Sequence, residues 1–102
     1  MRWHLPLFAV LVQGPSMVPT LRSGDALVVR RTSRVRTGDV VVARFRARPG
    51  LLVVKRAVRP QEGGWWIQSD NPLITDDSRA YGVADVIGRV VIRYYPKPGR
   101  LS

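Results

Sequence analysis

The chain has 102 residues, 45% of them hydrophobic, with no cysteine and a single histidine, His4. That length suits one thin-cored domain, and the absent cysteines exclude disulfides, thiolate nucleophiles and the common structural zinc sites, while one imidazole leaves almost nothing for a Ser/His/Asp triad or a multi-histidine metal centre. The formal net charge of +10 points to an anionic partner, yet all but Lys55 and Lys97 of the 17 basic residues are arginine, a bias that genomic base composition would produce equally well.

The first apolar run, Trp3 to Val12, is about half the roughly twenty residues a spanning helix needs, and no small-residue cleavage site follows it. It reads as a buried strand through Leu7 to Gln13, with shallow membrane association as the alternative. Runs rich in Val, Leu, Ile and aromatics then recur at Ala26 to Arg30, Asp39 to Phe45, Leu51 to Val58, Trp65 to Gln68 and Val86 to Tyr95. Turn chemistry separates them: Ser23-Gly24-Asp25, Thr37-Gly38-Asp39, Pro49-Gly50 and Glu62-Gly63-Gly64, with Arg48-Pro49-Gly50 expected to close a hairpin. Alternation of Val42, Arg44, Arg46 and Arg48 against Ala43, Phe45 and Ala47 predicts one wet face. Helical turns are expected only at Val18 to Leu21 and around Val83 to Val86, both too short to stand alone. The expectation is a single mainly β domain over residues 1–102, with 1–6 and the breaker-rich 96–102 frayed.

Three stretches carry candidate chemistry. Ser16 follows the first strand in Gly14-Pro15-Ser16-Met17-Val18-Pro19, where two prolines stiffen the chain and can present its hydroxyl to a cleft; capping the following turn is the alternative role. Lys55 ends the apolar run Leu51-Leu52-Val53-Val54. A buried ammonium loses its proton readily, whereas a guanidinium does not, so in this arginine-rich chain only a lysine can serve as a base. A lysine guarding a sheet edge against aggregation would look the same. The third stretch, just beyond Gln68-Ser69, holds three of the seven acidic residues, in Asp70-Asn71 and Thr75-Asp76-Asp77-Ser78-Arg79; it predicts either a loop with an internal ion pair or an exposed loop of Asx turns.

In order and wording these stretches resemble the signal peptidase superfamily. Ser16-Met17 with Pro19-Thr20-Leu21 and Gly24-Asp25 resembles its nucleophile box, Lys55-Arg56-Ala57-Val58 its lysine box, and Asp70-Asn71 with Asp77-Ser78-Arg79, Tyr81-Gly82 and Ile87-Gly88-Arg89-Val90 its final box. The resemblance implies a signal peptidase and LexA-like fold, a coiled and partly closed β-sheet. It also implies a Ser/Lys dyad needing neither cofactor nor metal: Ser16 as nucleophile, Lys55 as general base, Thr75 as the hydroxyl that orients the amine, and Asp77 and Arg79 as a bracing pair with Ser78 between them. Asp70 and Asn71 belong to the same supporting box. The amide of Ser16 is one oxyanion donor; many family members take a second from a hydroxyl residue two places earlier, where this chain has Gly14, so that donor is unassigned. Gly14-Pro15-Ser16-Met17 is closer to the mitochondrial inner-membrane peptidases, and Ser69 replaces the usual glycine.

Only fourteen residues separate Lys55 from Asp70, where larger members carry an insertion. A short form of this kind looks most like the nickel-type superoxide dismutase maturation proteases, which implies a cytoplasmic enzyme whose partner is a precursor protein with an N-terminal leader, with no nucleic acid and no spanning helix. Two rivals stand beside it: a signal peptidase processing exported proteins at the membrane, and a small basic nucleic-acid-binding barrel presenting Trp65, Trp66, Tyr94 and Tyr95.

Overall fold

The computed structural model describes residues 6–101, so Trp3 and His4 lie outside the described residues. The elements are β1 (Leu7–Leu11), β2 (Ala26–Arg31), β3 (Val40–Phe45), β4 (Arg48–Gln61), β5 (Gly64–Gln68), α1 (Ser78–Tyr81), β6 (Ala84–Tyr95) and β7 (Gly99–Arg100). All strands join one antiparallel sheet in the order β1-β2-β6-β3-β4-β5, with β7 added to β6. Trp65 of β5 pairs with Ala84 of β6, so β6, β3, β4 and β5 close on themselves while β1 and β2 extend outward. This is the mainly β, coiled, partly closed sheet expected from the valine-rich runs. Irregularities in the β2–β6, β3–β6, β3–β4 and β4–β5 ladders supply the local bends that coiling requires.

The core lies on both faces of β3. Val40 and Val42 pack with Leu21, Leu27, Val29 and Val90 on one side, and Val41, Ala43 and Phe45 with Ala57, Ile67 and Ala84 on the other. Phe45 is fully buried, a burial worth about 2 to 3 kcal/mol. Arg44, Arg46 and Arg48 are exposed, as the alternation predicts, but Val42 is core, because β3 is a central strand covered on both faces.

Four other expectations change. The β3–β4 hairpin turns at Arg46-Ala47, since Phe45 pairs with Arg48; Arg46 is held there by Asp85 and by the Val83 carbonyl, and Pro49 and Gly50 become part of β4. Met17 to Leu21 does make a helical turn, its Leu21 N–H donating to the Met17 carbonyl at 2.8 Å. The other helical turn lies at Ser78–Tyr81, because the Asp77 carboxylate caps it by accepting the Arg79 N–H and Gly82, at φ +79°, ends it; Val83 to Val86 leads into β6 instead. β1 is a half-exposed edge strand, with Leu7 47% and Leu11 58% exposed. The tail expected to fray returns to the sheet: Gly99 and Arg100 pair with Arg93 and Ile92, and Leu101 packs on the core.

Candidate active site

Ser16 stands in the turn that leaves β1. Val12 is tied to Asp25 by a backbone hydrogen bond, Gly14 turns the chain at φ +86°, and Met17 and Leu21 anchor the far side in the core. The half-buried serine is also fixed from outside. The Asn71 N–H donates to the Ser16 carbonyl at 2.9 Å, and the Asn71 side-chain amide donates to the Pro15 carbonyl at 3.0 Å.

Lys55 lies on β4 opposite Val41 and is 4% exposed. Its Nζ donates to the Ser69 hydroxyl at 2.9 Å. Burial pushes the ammonium below the usual lysine range; Asp77 and Asp76 oppose that shift and Arg79 adds to it, but burial wins. The Ser69 N–H in turn donates to Asp77 Oδ2 at 2.8 Å. Asp77 is fully buried and gripped by Arg79, whose Nε and Nη2 lie 3.0 and 2.7 Å from its two oxygens. Burial alone would raise the Asp77 carboxyl, but hydrogen bonds from Arg79 and Ser69 hold it below the usual range. Ser78, also buried, accepts the Ile67 N–H, fastening the loop to β5. Asp70 accepts from Arg56 and from the Thr20 hydroxyl, joining this loop to the turn that carries Ser16.

Ser16 and Lys55 line one cleft of about 490 Å³, walled by Leu11 to Met17 on one side and Leu51 to Lys55 on the other, with Ile74 and Asp76 closing it. A hydroxyl and a buried amine of lowered proton affinity facing one cavity can perform nucleophilic catalysis with the amine as base. Thr75, expected to orient that amine, is instead exposed, and its hydroxyl makes no hydrogen bond among the described residues. Register explains this: Arg56 pairs with Gln68, so Ser69 comes next to Lys55, whereas Thr75 lies six residues further along the loop. Local sequence motifs mark neither Ser69 as the partner of Lys55 nor Arg56 as the partner of Asp70. Strand alternation carried one residue past Gln68 was the available signal for Ser69. Trp65 and Trp66 are half-buried rather than presented to solvent, and Arg59 lies over the Trp66 ring.

The profile of the Peptidase S24-like family matches residues 4–91, a span that includes both Ser16 and Lys55. The chain belongs to that family. This S24-like protease is 29% identical over 114 aligned positions to mitochondrial inner membrane protease subunit 1 of Xenopus tropicalis, covering 85% of the chain and 68% of that protein. It is 30% identical over 115 positions to mitochondrial ATP-independent inner membrane protease subunit 1a of Arabidopsis thaliana, covering 83% and 68%, and 26% identical to subunit 1 of the human enzyme, covering 85% and 69%. Among the described residues of the protease, no helix is long and apolar enough to cross a membrane, and no three His, Asp or Glu side chains gather as a metal site.

Proposed function

We propose that this protease is a serine endopeptidase with a Ser16/Lys55 dyad that cuts an N-terminal leader from a precursor protein. The observation that carries this is the shared cleft, with Ser16 at one wall and a buried Lys55 of lowered proton affinity at the other. Neutral Lys55 takes the Ser16 proton as Oγ attacks the scissile carbonyl. The oxyanion accepts from the Ser16 amide, the protonated amine gives its proton to the departing nitrogen, and water releases the acyl group by the same proton route. The segment Leu51 to Lys55 pairs with β3 on one edge, and β5 joins β4 only from Arg56 onward, so its other edge is open to an extended peptide.

For the substrate, the resemblance to nickel superoxide dismutase maturation proteases supports the precursor of that enzyme, cut in the cytoplasm to give a new amino terminus. A second reading has one observation in its favour. Leu11 and Leu52, 58% and 45% exposed, form an apolar rim at the cleft, and the relatives are named inner membrane proteases, which together suit a precursor presented at a membrane surface. Incubation of the purified protein with each precursor, followed by intact mass measurement, separates the two. One cut in the dismutase precursor, absent with Ser16→Ala, is the expected result. Cutting only of an exported precursor transfers the assignment to the second reading, and intact products in both overturn the leader peptidase.

A further inference from the structure

The hydroxyl that meets the Lys55 amine comes from Ser69, where the resembling family usually carries glycine and is expected to use the residue at Thr75 instead. We infer that Ser69 is a positioning residue that holds one N–H of Lys55 and so turns the amine lone pair toward Ser16. Ser69 is itself held: its N–H donates to Asp77 Oδ2 at 2.8 Å, and Arg79 clamps both oxygens of that buried carboxylate. The relay therefore runs from Arg79 through Asp77 and Ser69 to Lys55, each link being a hydrogen bond of 3.0 Å or less.

A neutral amine has two N–H groups and one lone pair. With one N–H donated to Ser69, rotation about the last side-chain bond is restricted and the lone pair stays free for a proton from the cleft. Ser69 also accepts from the charged form, which favours the ammonium against the effect of burial. The charged groups acting on the amine are Asp77 and Asp76, in the loop after β5, and Arg79, in α1, while β3 faces it with Val41.

This rests on Lys55 as the base, but its main test needs no turnover, so the two can fail separately. The chain has only two lysines, and Lys97 is exposed, so protein labelled with 13C-lysine gives one side-chain signal from the site and one internal control. Losing an acceptor to an ammonium removes stabilisation of the charged form, so Ser69→Ala and Ser69→Gly should lower the Lys55 titration midpoint by about one pH unit. Ser69→Thr should restore it, Thr75→Val should leave it in place, and Lys97 should not move. On the precursor that is cut, Ser69→Ala should lower kcat roughly tenfold with KM unchanged. The assignment is overturned if both Ser69→Ala and Ser69→Gly keep the wild-type midpoint, if Thr75→Val moves it instead, or if kcat survives Ser69→Ala. Ser69→Gly keeps the test available should the alanine variant misfold, since glycine is the family's usual residue there.

Discussion

Arg56 holds Asp70 in a two-pronged ion pair, its Nε 3.0 Å from one carboxylate oxygen and its Nη2 2.6 Å from the other. The carboxylate also accepts the Thr20 hydroxyl, and Arg56 donates to the Gly38 carbonyl. Lys55 and Arg56 are neighbours on β4 and point to opposite faces, so one strand supplies both the amine in the cleft and the brace behind it.

Arg56→Ala leaves Asp70, only 15% exposed, without its counter-ion and should cost about 2 kcal/mol of stability. Because Thr20 follows Ser16 in the same turn, activity should fall further than stability explains. Urea unfolding checks the first statement and turnover at a temperature well below unfolding checks the second. An unchanged midpoint would mean that solvent replaces Arg56.

Lys55→Arg keeps the charge and should be inactive, because a guanidinium does not give up its proton near neutral pH. Lys55→Met should also be inactive, but neutral in stability or up to about 2 kcal/mol more stable at pH 7, since it removes an ammonium from a site 4% exposed. Turnover by the arginine variant would reduce Lys55 to a structural cation.

The rate should rise with pH through a midpoint below the ordinary lysine value, because only the neutral amine can accept the Ser16 proton. Stability should climb as well. Between the lowered folded pKa and the ordinary value of about 10.4, the unfolded chain binds more protons than the folded one, so unfolding becomes harder as pH increases across that window. A pH-independent kcat/KM, with chemistry shown to limit the rate, is the outcome that contradicts the base assignment.

Gly88→Ala should destabilise by about 1 to 3 kcal/mol. A methyl group there would lie 2.6 Å from Val29 Cγ1 and 2.7 Å from the Arg30 carbonyl oxygen, so β2 and β6 must separate to admit it. Thermal unfolding gives the answer, and wild-type behaviour would show that the β2–β6 contact yields without cost.

The order of strands along the chain, the turn after β1 and the oddity of a lysine in an apolar run were legible from residue sequence alone, because each is a matter of local periodicity, turn chemistry or composition. What lay beyond it was every decision about which residue meets which across strands. The register of β4 with β5 brings Ser69, not Thr75, to the Lys55 amine. Pairing with β4 on one side and β6 on the other makes β3 central, with core on both its faces, so Val42 is buried where alternation had suggested a wet face. Pairing with β6 recovers the tail that its prolines and glycine had marked for fraying. Spacing along a strand fixes only which face a side chain takes; its partner depends on the register and on the chain that returns from far away in sequence to cover that face.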